Sequence, residues 1–336
     1  MKMFSFFNNR ATLIAEIGGN HEGSISKAKD LMMQAHESGA DIVKFQCYSG
    51  EGLVNQKLRP ERYNHFNKYM LSDDEWIDLA ETALKNKIFF SASIWEPRYF
   101  HLLNDYICLY KIGSGDLSNH NLMKLFLKTK KPFVVSTAMS NFKQIEKTYN
   151  FITGFDESIL KDNRLGILQC TAMYDNPSSE FSNLLVMKEF KNRFNCLVGY
   201  SNHAVGINSS IAAISLGASI LEFHFTDTKE ASFRDHKLSF DKSDLQVLSD
   251  FNNEFQSMLG SSEKDIHKSE FQNEQEFRRA VYFKRPLFKG DIVKLDDLVF
   301  LRPELGISMW DYQSILGKVL NTDIDALEEL NFGYFE

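Results

Sequence analysis

The chain has 336 residues, 43% of them hydrophobic and 25% charged, and a formal net charge of −7. That length suits one large domain with a small appendage, and the composition excludes disordered and fibrous proteins. The acidic balance excludes nucleic acid and anionic membrane surfaces as general partners, so an anionic ligand would need a local cluster of cations.

The opening stretch MKMFSFFNNR soon turns polar, so a cytoplasmic location without a secretory leader is expected. Cys47, Cys108, Cys170 and Cys196 are widely spaced and form no C-x-x-C, which suits reduced thiols. No apolar run approaches the roughly 18 residues that a bilayer span needs.

Along residues 1–260, short β-rich apolar runs alternate with amphipathic stretches. The first run, TLIAEIG (12–18), precedes SISKAKDLMMQAHESG, in which Ser24 is placed to cap a helix. Ala28, Leu31, Met32 and Ala35 share one face of that helix, and Gly39 ends it. Further strand-like runs follow as DIVKFQ (41–46), KIFFSAS (87–93), ICLYKIG (107–113) and PFVVST (132–137). LGILQC (165–170), CLVGYS (196–201) and SILEFHF (219–225) complete eight. Strand then helix, repeated eight times, predicts a parallel closed sheet with right-handed crossovers, a (β/α)8 TIM barrel over residues 1–260. Residues 261–277 are polar and charged and read as a linker. Residues 278–336 form a β-rich tail with turns at Lys289-Gly290 and Arg302-Pro303. At about 60 residues such a tail is marginal alone and is expected to lean on a neighbour.

Barrels of this kind carry their active sites at the C-terminal rim of the sheet, so polar residues at strand ends matter most. Glu16 ends the first run, Lys44 and Gln46 the second, Ser91 and Ser93 the third, and Lys111, Ser114 and Asp116 the fourth. Ser136, Gln169, Tyr174, Ser201, Asn202, His203, Glu222 and His224 continue the rim. Lys44 and Lys111 point to an anion, and serine hydroxyls suit phosphate oxygens. His203 and His224 lie on successive strand ends, where two imidazoles can share a divalent cation whose other positions stay open to water and substrate. Simpler roles also exist. Interior carboxylates such as Glu16 or Asp116 would satisfy the lysines, Asp116 could cap the following helix, Met173 and Tyr174 could pack, and a strand-end histidine is often a hydrogen-bonded core residue. The turn GGN lacks dinucleotide-fingerprint spacing. The meeting of all these groups on one rim is what marks a site.

The blocks IAEIGGNHEGSISKAKDLMMQAHESGADIVKFQ, KIGSGDL, VVSTAMS, LQCTAMY, GYSNHAVG and EFHFT…RDHKLSF together resemble N-acetylneuraminate (sialic acid) synthases and their legionaminate and pseudaminate relatives. The tail RRAVYFKRPLFKGDIVKLDDLVFLRPELGIS resembles that family's antifreeze-like (SAF) domain. The resemblance implies condensation of phosphoenolpyruvate with an N-acetylated amino-hexose to a nine-carbon 2-keto acid and phosphate. It places Lys44, Lys111, Ser114, Ser136 and Ser201 on phosphoenolpyruvate, and Gln46, Asp116, Tyr174 and Asp235 at the acceptor sugar. His203 and His224 become ligands of Mn²⁺, with Mg²⁺ or Co²⁺ as alternatives. Glu16, Lys111, Asp116 and His224 are the catalytic candidates. A domain-swapped homodimer, in which Arg302 enters the partner's barrel, is also implied.

The chain departs from the family pattern at several positions. Asp116 replaces a glutamate, Ala92 lacks an expected phosphate-facing hydroxyl, and Ala138 replaces a glycine that lets backbone approach closely. Phe223 replaces a lysine, and Phe233 and Arg234 stand where glycine and proline are usual; these last three are expected near the acceptor. Together the departures point to an altered sugar substrate or a divergent subgroup. A synthase or aldolase acting on another aldose, and a catalytically idle carbohydrate-binding relative, stay open as alternatives.

Overall fold

A computed structural model describes residues 10–175, 177–231 and 235–336, so Phe233 and Arg234 lie outside the described residues. The chain divides into two compact units, Met1–Gly260 and Ser261–Glu336.

In the first unit the strands β1 (Thr12–Gly18), β2 (Ile42–Cys47), β3 (Phe89–Ile94) and β4 (Tyr110–Ile112) are followed by β5 (Phe133–Ser136), β6 (Leu165–Cys170), β7 (Leu197–Asn202) and β8 (Ile220–His224). They close into a barrel in chain order, and β1 pairs in parallel with both β2 and β8. All eight strand-like runs of the sequence are thus strands of one sheet. The first helix, Ile25–Glu37, is capped by Ser24 and buries Ala28, Leu31, Met32 and Ala35. The fourth strand is shorter than its apolar run: Ile107–Leu109 lead into it outside the ladder, and after Ile112 the chain turns at Gly113 into a single 3-10 turn, Ser114–Asp116.

Side chains alternate in and out along each strand, and this alternation builds the site. One parity faces the helices: Ala15, Val43, Phe45, Ala92, Leu221 and Phe223 belong to the large outer core. The other parity fills the barrel with an apolar layer of Ile14, Ile42, Leu109, Val134, Leu168 and Ile220. Two residues further along the same strands, the same parity carries Glu16, Lys44, Lys111, Ser136, Cys170 and Glu222. The interior is therefore greasy below and charged at its C-terminal end. Gly199 makes room for this layer, since a Cβ there would fall 2.2 Å from the Ile220 carbonyl oxygen and 2.6 Å from Leu168 Cδ2.

The second unit has its own small core of Val281, Phe283, Leu287, Leu298 and Ile307, among others. Its strands β9 (Ala280–Phe283) and β10 (Leu298–Leu301) pair antiparallel. The stretch 261–277, read from sequence as a linker, contains a helix at Phe271–Phe277 within this unit. Among the described residues no helix is long and apolar enough to cross a membrane.

Candidate active site

A cavity of about 570 Å³ opens at the C-terminal end of the barrel. Its floor is a chain of buried charges. Lys44 pairs directly with Glu16, reaches Ser93 Oγ at 3.1 Å and lies 3.7 Å from Glu222 Oε2. Lys111 lies 3.3 Å from Glu222 Oε1, which also accepts a 2.9 Å hydrogen bond from the Ser201 hydroxyl. Glu222 is the hinge of this network. Burial alone would raise its pKa, but Lys111 and Lys44, helped by Ser201, hold the carboxyl well below the usual range. Burial pulls the Lys44 ammonium the other way, downward, with Glu222 opposing.

The lysines are thus paired, as the simpler sequence reading allows, but their partners are Glu16 and Glu222 rather than Asp116. The pairing does not close the site, because Glu16, Lys44, Lys111 and Glu222 all line the cavity. Asp116 stands apart on the wall. It does not cap the next helix: Asn119 does, through the Leu122 N–H, while Asn119 Nδ2 donates to Asp116 Oδ1 at 3.1 Å. Burial raises the Asp116 carboxyl.

On the other side, the rings of His203 and His224 lie 5.2 Å apart, centroid to centroid. Both are buried and both line the cavity. His203 Nδ1 is 3.4 Å from the Ser201 carbonyl oxygen and 3.6 Å from Cys170 Sγ, and Nε2 is 3.1 Å from the Tyr174 hydroxyl. Burial lowers the His203 pKa, but Cys170, Glu222 and the Ser201 carbonyl outweigh it and the net direction is up. His224 is held neutral by burial, at about 4. Among the described residues its Nδ1 has no hydrogen-bond partner, and Asp235 Oδ2 lies 3.9 Å from it.

These residues suit a borderline divalent cation. Two imidazole donors stand side by side, and one keeps a buried nitrogen without a hydrogen-bond partner among the described residues. Among the described residues no cluster of three or more His, Cys, Asp or Glu side chains could hold a metal, so a cation on this pair would take the rest of its shell from water and substrate. Gly18, at φ +57°, keeps the space clear: a Cβ there would come within 3.3 Å of Gln46 Nε2 and Glu16 Oε1 and 3.5 Å of His224 Nδ1.

The cavity therefore gathers most of the residues named from the sequence. Gln46, Ser114, Ser136, Tyr174 and Ser201 line it with the lysines and histidines. Ser136 Oγ is buried without a hydrogen-bond partner among the described residues, and Ser114 Oγ accepts from the Ala138 N–H at 2.9 Å. Asp235 is not on the wall; it is buried behind His224. Arg302 belongs to the second unit, exposed and 5.7 Å over the Phe277 ring. Two expectations need correction. Ala92 lies between the inward-facing Ser91 and Ser93 and faces the helices, so no cavity hydroxyl is lost there. Phe223 likewise points outward and stacks on Phe240 at 4.8 Å, away from any acceptor.

Sequence reasoning placed Glu222 and Ser93 at the rim without a role; their signal was their parity with His224 and Lys44. It gave no role to Arg59 or Trp95, and reached Arg62 only as the start of RYNHFNKYM, a stretch expected to shape acceptor choice; all three also line the cavity. The only signal that pairs the arginines is their spacing about Pro60, one turn apart at the start of the helix Pro60–Tyr69.

Residues 31–264 match the model of the NeuB family. An uncharacterised protein of Methanocaldococcus jannaschii is 34% identical over 93% of this chain and 90% of its own length. An N,N'-diacetyllegionaminic acid synthase of Campylobacter jejuni is 32% identical over 92% of this chain and 96% of its own. Among solved structures, an N-acetylneuraminic acid synthetase of Leptospira borgpetersenii superposes with a TM-score of 0.70 at 24% identity, covering 79% of this chain and 90% of that one. A spore coat polysaccharide biosynthesis protein of Bacillus subtilis superposes with a TM-score of 0.65 at 23% identity, covering 97% and 95%. At these identities the superpositions speak for the fold, while the family match covers most of the barrel: the chain belongs to the NeuB family.

Proposed function

We propose that this protein joins C3 of phosphoenolpyruvate to the aldehyde carbon of an N-acetylated amino-hexose, with water adding at C2 and phosphate departing, to give a nine-carbon 2-keto sugar acid of the sialic acid type. The observation that carries this reading is the convergence of Lys44 and Lys111 with His203 and His224 on one cavity. The similarity to the Campylobacter N,N'-diacetyllegionaminic acid synthase supports it.

His203 and His224 would hold the divalent cation, Mn²⁺ first and Mg²⁺ or Co²⁺ as alternatives. Such an ion supplies Lewis-acid polarisation of the aldehyde oxygen. Lys44 and Lys111 neutralise the phosphate and carboxylate of phosphoenolpyruvate, and Glu16 and Glu222 hold the two ammonium groups in place before it arrives. The unpartnered Ser136 hydroxyl offers a donor to the same anion, with Ser114 and Ser201 beside it on the wall. The Tyr174 hydroxyl orients His203, while Gln46 and Asp116 face the acceptor. Holding two reactants in line in such a cleft accounts for several kcal/mol of the barrier or more.

In the same reading residues 278–336 are an antifreeze-like (SAF) domain, and the working assembly is a domain-swapped homodimer in the cytoplasm, with Arg302 serving the partner's site. Support for these points is the sequence resemblance.

The test is phosphate release and product mass with full-length protein, phosphoenolpyruvate, Mn²⁺ and a panel of acceptors. Release with an N-acetylated amino-hexose, and a product heavier by the pyruvate unit, is the expected result. Release with an unmodified pentose or hexose alone, or with no acceptor in the panel, would overturn it.

A further inference from the structure

The wall of the cavity above the floor carries two cations that the condensation described so far does not use. Lys44, Arg59, Arg62 and Lys111 face three carboxylates, Glu16, Asp116 and Glu222, so cations outnumber anions here in a chain of net charge −7. The two lysines are occupied by the floor carboxylates. The two arginines are not. Arg59 gives one N–H to the Leu58 carbonyl at 3.3 Å, Arg62 lies 5.9 Å from the Phe66 ring, and neither has a carboxylate partner among the described residues. The exposed Arg98, Arg193, Arg278 and Arg285 each hold one, and the two other exposed arginines without one among the described residues, Arg279 and Arg302, lie in the second unit rather than on this cavity.

Their position in the barrel says which part of a ligand they meet. Arg59 and Arg62 lie between β2 and β3, and in a closed sheet of eight strands in chain order that connection stands across the mouth from the one between β6 and β7. His203 directly follows β7, and His224 ends β8. The imidazoles thus stand within two strands of the point directly opposite the arginines, and a sugar held by its aldehyde at them and laid across the cavity brings its far end to the arginine side. An aromatic cluster fixes that side: Tyr48 stacks on Trp95 at 5.5 Å and meets Phe66 of the arginine-bearing helix edge-on at 4.9 Å. Planar guanidinium forks one helical turn apart match the paired oxygens of a phosphate or carboxylate.

The geometry points to an acceptor that carries an anionic group, phosphate or carboxylate, at the end remote from its aldehyde, with Arg59 and Arg62 as the residues that select it. This rests on the condensation proposed above and names its acceptor class more narrowly.

The experiment compares three acceptors by calorimetry on the full chain: a neutral N-acetylated amino-hexose, its 6-phosphate and the corresponding uronic acid. Mn²⁺ is present and phosphoenolpyruvate is left out, so that nothing turns over; phosphoenolpyruvate is titrated, and phosphate release assayed, separately. At low salt at least one anionic sugar is expected to bind about tenfold tighter than the neutral one, as charge-assisted hydrogen bonds allow. That advantage should shrink with added salt and fall to about twofold or less in the Arg59→Gln, Arg62→Gln double variant. Whichever anionic sugar binds tighter identifies the group as phosphate or carboxylate. Equal binding of all three sugars, an advantage that survives in the double variant, or a variant that weakens phosphoenolpyruvate instead of the sugar would overturn the inference. Absence of phosphate release with every acceptor would instead overturn the condensation itself, while the sugar affinities still report on the arginines.

Discussion

The floor and the mouth of the cavity hold the same number of cations in opposite ways. Lys44 and Lys111 are buried and paired, whereas Arg59 and Arg62 are exposed and lack carboxylate partners among the described residues. Buried ammonium groups are tolerated only because Glu16 and Glu222 were buried with them, so floor charges are part of the folded core and bear on stability and chemistry together. Charges at the mouth stay in water and cost the fold little, so they are free to set which molecule is admitted. The comparison separates residues that run a reaction from residues that choose its substrate.

Breaking the floor should have the largest effect. Glu222→Gln strips Lys111 of its carboxylate and leaves Lys44 with Glu16 alone, and breaking a buried pair in this way costs about 3–5 kcal/mol. Urea unfolding of the variant measures it; a loss below 1 kcal/mol would mean that water reaches the floor in the folded protein.

A pH titration of the chelator-treated protein sharpens the same contrast. Burial holds His21 and His224 neutral, each with its pKa lowered to about 4. Between the ordinary histidine value of about 6.5 and 4 the unfolded chain binds protons that the folded chain does not, so stability is full above that window and falls as pH drops through it. Each group contributes up to about 3 kcal/mol to the fall. Melting temperatures across the window check the slope, and His21→Gln should remove part of it.

Gly18→Ala should come next, at about 1–2 kcal/mol, because it places a Cβ in left-handed backbone beside Gln46, Glu16 and His224. Phosphate release should fall with it, since the new atom crowds the site. Smallest of all, the Arg59→Gln, Arg62→Gln double variant should unfold within about 0.5 kcal/mol of the parent, as exposed substitutions usually do. A larger loss there would mean that the mouth is structural after all.

The barrel was legible because its strands announce themselves by length and spacing, and the site was legible wherever a polar residue ends a strand. Glu16, Lys44, Lys111, Ser201 and His224 came out on one cavity for that reason. Parity was also readable and was not used at Ala92 and Phe223, which face the helices although each lies between inward-facing neighbours. Pairing was not readable. That Lys111 chooses Glu222, a residue on the far side of the barrel order, depends on closure of the sheet. That RYNHFNKYM bears on the acceptor was readable, but the place of Arg59 and Arg62 was not, because they sit in the long connection between β2 and β3, whose course over the mouth is fixed by the packing of Tyr48, Phe66 and Trp95.

The most direct test of the account is a titration of Mn²⁺ into the full-length protein, followed by the paramagnetic resonance of the free ion, in the parent and in His224→Ala. The account predicts one ion bound per chain, tighter when phosphoenolpyruvate is present, and loss of that binding in the variant. No bound ion in the parent, or equal binding in the variant, would contradict it.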